Sequence, residues 1–404
     1  MYKTVIYNAK VVLKDRVLDS AAVVIEGNKI SKIDEMYVKE NYYEVDEMID
    51  ARGNYVMPGF IDLHSDNIER VAQPRPQSLI DFNVAICEQE KQLVCQGITS
   101  MYHSLTIMDG TVAAGKSESP KTALRTPENH KKLVEVIRKH NDGDHLIRHR
   151  FHCRFDITNV DGYDMLVKFI DNKEMQLLSF VDHTPGQGQY RDIQFFKDHV
   201  IGNSKSEEDK DKYLEERMNT AKLTANQICT AANMAKEAGI PIASHDDESI
   251  EKLDYVTENL HVNICEFPLE LEVAKEAHER GLKVVVGANN ILMGRSHSNN
   301  LSALDAIKAN CADILVSDYF PAALLHSIFK IYDMGITTLP DAVNLATYNP
   351  ACAVRVDDIL GSIEEGKLAD LLIVSYEAKK PVILTAFVDG EKVMDIHYRS
   401  KIAI

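Results

Sequence analysis

Six imidazole and carboxylate side chains stand where short apolar runs end: His64 and Asp66 in GFIDLHSDN, Asp156 in FHCRFDIT, His183 in SFVDHTPGQGQ, His245 in IASHDDES and Asp318 in ILVSDYFP. Imidazole nitrogens and carboxylate oxygens suit a borderline divalent ion such as Zn²⁺, and a large carboxylate share moves the preference towards Mn²⁺ or Mg²⁺. Taken singly, each has an ordinary structural use. A histidine can sit satisfied in a core, and an aspartate can cap the helix that follows a strand. Taken together, the six share one position relative to five separate runs, as expected of one metal site at one rim.

The elements that would carry them form a repeating pattern. Phe60–His64, Ile98–His103, Arg150–Asp156, Leu177–His183, Pro241–His245, Val262–Glu266, Lys283–Ala288 and Ile314–Asp318 read as strands, with helical patterns between them. At Gln96-Gly97-Ile98, Ala238-Gly239-Ile240 and Arg280-Gly281-Leu282, a helical pattern stops at glycine and a strand follows. Eight such strands predict an α/β fold, a (β/α)8 TIM-like barrel with its chemistry at the C-terminal strand ends. Both chain ends read as β, so the expected division is 1–57 and 356–404 as two parts of one small β-sandwich, with 58–355 as the barrel. The charged stretch Ser204–Arg217 reads as an insertion between the fourth and fifth strands, with a solvated helical face.

Composition narrows the function classes. The 404 residues include 45 Lys and Arg against 62 Asp and Glu, a net charge of −17. That field repels nucleic acid and anionic membrane, and neither is expected as a partner. A chain this long builds a core without a metal or disulfide, so a bound metal is expected to be functional. Seven cysteines are odd in number, scattered, and never arranged C-x-x-C. This argues against a disulfide framework and a thiolate zinc site, and most of them are expected to be buried. The N-terminal residues lack the plan of a signal peptide, and a cytoplasmic protein is expected.

The segments VMPGFIDLH at 56–64, LATYNPA at 345–351 and GSIEEGKLADLLIV at 361–374, with the late Asp318, resemble the amidohydrolase superfamily. The resemblance implies a distorted (β/α)8 barrel with a β-sandwich built from both chain ends, and one or two divalent ions, Zn²⁺ foremost. DLHSDNIE, PRP at 74–76, DHTPGQGQ, ASHDDES, GRSHSNN at 294–300 and SDYFP are similar to a narrower family, the diphosphatases of the carbon–phosphorus lyase pathway. The implied reaction is hydrolysis of α-D-ribose 1-methylphosphonate 5-triphosphate to the 5-phosphate and pyrophosphate, a phosphorylated ribosyl substrate. Assembly into a homo-oligomer is left open. A metal-dependent amidohydrolase acting on a cyclic amide, or a deaminase, is the alternative.

In that scheme Asp318 takes the proton of the attacking water and also touches the metal, with His64, Asp66, Asp156, His183 and His245 completing the ligand set. His64-Ser65-Asp66 replaces the usual H-x-H, and no lysine stands where a bridging one would be expected, so Asp156 is the candidate bridge. The superfamily usually carries its histidines on the fifth and sixth strands, whereas the strand list puts His183 and His245 on the fourth and fifth. One strand is therefore expected to be miscounted. A triphosphate facing a chain of net negative charge needs fixed cations. The candidates are Arg75, Arg191 and Arg295 with Ser296, His297 and Ser298, while Gly186 and Gly188 would let backbone N–H groups approach.

Overall fold

The computed structural model describes residues 1–36, 44–75, 78–108, 123–201, 206–294 and 300–397. Five strands open the chain: β1 (Lys3–Val12), β2 (Val17–Glu26), β3 (Lys29–Asp34), β4 (Glu47–Asp50) and β5 (Tyr55–Pro58). Eight more follow: β6 (Phe60–Ser65), β7 (Ile98–Ile107), β8 (Arg148–Asp156), β9 (Leu177–Val181), β10 (Ile242–His245), β11 (Ile264–Glu266), β12 (Lys283–Gly287) and β13 (Ile314–Val316). The chain closes with β14 (Leu371–Glu377), β15 (Lys380–Val388) and β16 (Glu391–Asp395).

Strands β6 to β13 form one parallel sheet in sequential order. A parallel bridge between Ser65 and Asp318 brings the last strand back to the first. The result is the expected eight-stranded barrel. Its strand count stands as read from the sequence, so His183 follows the fourth strand and His245 ends the fifth; the expected miscount is not there. Alternation puts Ile61, Leu63, Leu177, Ala243, Ile264, Val285 and Ile314 in one buried cluster, as inward-facing residues of a barrel should be. Helices cover the outside through a larger apolar cluster that includes Leu93, Ile137, Leu166, Ala231, Ala277 and Ile328.

Glycine ends the expected helices because the chain must reverse there. Gly97 has φ +85° after the helix Phe82–Cys95, and an added Cβ would meet Ile383 Cδ1 at 2.5 Å. Gly239 and Gly281 occupy equivalent turns, with φ of +77° and +84°. The remaining strands make a second sheet in the order β16-β15-β14-β5-β1-β2-β3, with β4 beside β1, so both chain ends build it. Arg148, at the start of β8, ties the two sheets together by pairing with Asp370 and Asp389, which flank β14 and β15. The charged insertion lies between β9 and β10 and includes a helix, Glu207–Met218, begun by the Ser206 side chain accepting from the Asp209 amide. It is not wholly solvated, since Lys210 and Arg217 are buried.

All seven cysteines are free. Cys153, Cys265 and Cys311 are buried, Cys87, Cys229 and Cys352 are partly buried, and Cys95 is exposed. The expectation that most would be buried therefore holds for fewer than half. Among the described residues no helix is long and apolar enough to cross a membrane.

Candidate active site

Residues two apart on a strand share a face, and β8 uses this to aim His152, Arg154 and Asp156 at the same rim as the end of β6. His64 is buried at the C-terminal end of β6. Its Nδ1 lies 3.2 Å from Glu266 Oε1, and its Nε2 lies 3.9 Å from Asp66 Oδ1. His64, Asp66 and Asp318 bring one donor atom each to within 4.8 Å of one another. His64, His152 and Glu266 form a second, fully buried group behind them, at the same mutual distance.

Asp318 owes its place to backbone geometry. It sits just past β13 with φ +58°, a conformation costly for a residue with a Cβ. Three bonds hold it there: its N–H donates to His64 O at 2.9 Å, and its carbonyl accepts from the Asp66 N–H and the Ser65 hydroxyl, both at 2.8 Å. Asn289 Nδ2 donates to its carboxylate at 3.2 Å. Burial pushes the Asp318 carboxyl above its usual range, against the pull of His64. That is the direction wanted of a proton acceptor.

Three histidines share one motif. His64 Nδ1 faces Glu266, His183 Nδ1 lies 2.7 Å from Asp156 Oδ2, and His245 Nδ1 lies 2.8 Å from Asp246 Oδ2. A carboxylate on Nδ1 fixes the tautomer and puts the lone pair on Nε2, the arrangement behind metal-bound histidines, although Nε2 of His245 is already contacted by Arg154. Asp156 is buried and also accepts from the Thr158 amide and hydroxyl at 2.9 and 2.5 Å. Burial raises its carboxyl, but His183 and Thr158 bring it below the usual range. The structure thus brings His64, Asp66 and Asp318 together and sets Asp156 against His183. Asp66 stands at the N-terminus of the helix Asn67–Ala72 yet makes no side-chain cap bond there.

Sequence reasoning missed Arg154 and Glu266. Arg154 spans the site, donating to Asp66 Oδ1 at 2.8 Å and reaching His245 Nε2 at 3.3 Å, while its buried Nε has no hydrogen-bond partner among the described residues. Burial disfavours its charge, but Asp66, Glu266, Asp246 and Asp318 outweigh that and raise its pKa. Glu266 is completely buried; its Oε2 has no hydrogen-bond partner among the described residues and lies 3.8 Å from His152 Nε2. Burial would raise its carboxyl, yet His152 and His64 hold it at about 2. The signal for Glu266 was its place as last residue of the sixth strand; for Arg154 and His152 it was the shared parity with Asp156.

The expected phosphate contacts are less concentrated. Arg75 is exposed, and Arg191 pairs with Glu270 at 2.6 Å. The Gly186 N–H is already taken by Tyr190 O at 2.9 Å. Gly188 packs close to Asp246, where an added Cβ would lie 3.3 Å from the Asp246 Cβ. Arg295, Ser296, His297 and Ser298 lie outside the described residues.

The donor chemistry fits a divalent cation. Nitrogen and carboxylate oxygen converge, and the histidines are oriented from behind by carboxylates. Comparison with known proteins agrees with this geometry. Residues 214–394 match the amidohydrolase family. The chain is 30% identical over 376 residues to the α-D-ribose 1-methylphosphonate 5-triphosphate diphosphatase of Escherichia coli strain K12, covering 91% of this chain and 94% of that protein. Among solved structures, the ochratoxinase of A. niger matches with TM-score 0.62 at 14% identity, covering 97% of this chain and 95% of that one. The N-acetylglucosamine-6-phosphate deacetylase of Pasteurella multocida matches with TM-score 0.57 at 15% identity, covering 97% and 99%. A parallel barrel closed through Asp318, a second sheet from both chain ends, and similarity along nearly the whole length lead to one conclusion: the chain belongs to the amidohydrolase superfamily of hydrolases.

Proposed function

We propose that this protein hydrolyses α-D-ribose 1-methylphosphonate 5-triphosphate to the 5-phosphate and pyrophosphate, using a divalent metal. The observation that carries the reading is the convergence of His64, Asp66 and Asp318 beside a buried arginine, Arg154. The substrate is that of the Escherichia coli relative. Zn²⁺ suits the donors best, with Mn²⁺ or Mg²⁺ as alternatives, held by His64, Asp66 and Asp318 with His183 and His245 as further nitrogen donors. When bound, such an ion polarises a phosphoryl oxygen and brings the pKa of water towards neutrality.

The chain's own groups do the rest. Asp318, made more basic by burial, accepts the proton of the attacking water as the α–β anhydride bond breaks and pyrophosphate leaves. Glu266, Asp156 and Asp246 hold His64, His183 and His245 in the tautomer that presents Nε2. In this reading Asp156 acts through His183. Arg154 supplies donors for phosphoryl oxygen, and Arg75, Arg191, the Gly186 and Gly188 loop and residues 295–298 are proposed to face the outer phosphates. Arg191 must then exchange Glu270 for phosphate.

The test is a ribosyl or nucleoside triphosphate incubated with metal-loaded protein, pyrophosphate and phosphate being measured separately with and without chelator. Chelator-sensitive pyrophosphate release is expected. If no pyrophosphate forms and a cyclic amide is opened instead, the amidohydrolase alternative replaces this reading.

A further inference from the structure

A second group of ligand-type side chains lies outside the barrel wall. Cys87 and Glu90 occupy one face of the helix Phe82–Cys95, being three residues apart. His140 sits in the last turn of the helix Pro127–Asp142. Cys87 Sγ and His140 Nε2 are 3.1 Å apart, and one donor atom from each of Cys87, Glu90 and His140 lies within 4.8 Å of the others. Ligands around a tetrahedral Zn²⁺, at about 2.3 Å for sulfur and about 2.0–2.2 Å for nitrogen or oxygen, stand roughly 3.3–3.6 Å from one another. Only side-chain adjustments separate these groups from such a shell.

Glu90 gives the cluster its need for a cation. The residue is 6% exposed, and among the ion pairs of the described residues its partner is His149, at 3.2 Å, with no lysine or arginine within ion-pair distance there. A buried carboxylate without a full counter-charge is costly. The Leu146 N–H donates to Glu90 Oε2 at 2.9 Å, and His149 is braced from behind by His103 Nε2 at 2.9 Å, so the carboxylate is fixed in place. Cys87 and His140 are both partly exposed, which leaves an entry path.

We propose that Cys87, Glu90 and His140 form a zinc site separate from the catalytic rim, in which the ion clamps two outer helices together, with solvent as fourth ligand. The absence of C-x-x-C concealed it, because its ligands come from two helices about 50 residues apart in sequence. Binding releases the thiol proton to solvent, and the thiolate, carboxylate and neutral imidazole balance the ion.

Cobalt separates the two sites, since only this one contains sulfur. Purified protein stripped with chelator and titrated with Co²⁺ should develop a near-ultraviolet thiolate-to-cobalt band. Cys87→Ala and His140→Ala should each abolish it and lose one equivalent of zinc from the protein as isolated. His64→Ala should keep both the band and that equivalent. Circular dichroism establishes that each variant is folded, and Cys87→Ser serves in place of Cys87→Ala if the latter is not. If folded Cys87→Ala holds as much zinc as the parent, or if the cobalt protein shows no thiolate band, the proposal is wrong. Both readouts are independent of which substrate the enzyme hydrolyses.

Discussion

Replacing Glu266 by glutamine should weaken divalent-metal binding and also cost the metal-free fold some stability at neutral pH. Glu266 Oε1 stands 3.2 Å from His64 Nδ1, and the carboxylate is held ionised at about 2 because His152 and His64 outweigh its burial. A hydrogen bond to a charged acceptor is worth about 1.5–3 kcal/mol and a neutral one about 1 kcal/mol. Neutralising the acceptor therefore removes roughly 0.5–2 kcal/mol of bias towards the tautomer whose Nε2 lone pair faces Asp66, a factor of roughly 2 to 30. Loss of a nearby negative charge adds to this, so we expect a total within the range of about 10- to 100-fold usual for such outer partners. Metal-free stability should fall as well, because a carboxyl held below its usual range is net favourable when charged in the fold, a contribution fully present at pH 7 and lost when the charge is removed. Competition against a chromophoric chelator gives the metal affinity, and urea unfolding in excess chelator gives the metal-free stability. Glu266→Ala, which strips His64 Nδ1 of its acceptor as well, should lose more, about 1–3 kcal/mol from the unsatisfied group alone. An affinity for Glu266→Gln within twofold of the parent would refute the orienting role.

Asp318→Asn keeps an oxygen for the metal but cannot take a proton, so turnover should fall about 10²-fold or more while metal content changes less; parallel loss of both would make Asp318 a ligand only. Arg148→Met should cost about 3–5 kcal/mol in urea unfolding, because Asp370, 5% exposed, would lose its buried partner. A cost under about 1 kcal/mol would mean that this tie between the sheets is not desolvated. His130 is buried, with neither ring nitrogen hydrogen-bonded among the described residues, and burial together with Arg125 lowers its pKa from 6.5 to about 4. Its neutral form supports the fold fully above pH 6.5, and that support is lost as pH falls towards 4. His130→Leu should therefore lose less stability than the parent between pH 7 and pH 4.5; identical losses in denaturant titrations at the two pH values would contradict this.

The barrel was legible because its signals are local. Apolar runs such as Phe60–His64 and glycine stops such as Gly97 depend on the chain's own period and backbone freedom, and both appear where the sequence puts them. Strand-end position identified His64, Asp66 and Asp318 in the same way, since every strand of a parallel barrel delivers its last residue to one rim. What the sequence could not decide is which groups meet. Asp156 faces His183 across the neighbouring strands β8 and β9, and Glu266 at the end of β11 faces His64 at the end of β6 across the barrel; no spacing along the chain encodes either meeting. Arg154 looked like one charged residue in a strand until closure set it between Asp66 and His245. Cys87 and His140 lie on different helices that meet only when both pack on the barrel wall. Composition and periodicity thus determined the elements and their order, because those follow from local propensity and burial. The charge partners, and with them the chemistry of each site, belong to the tertiary structure, because electrostatics depends on distance in space.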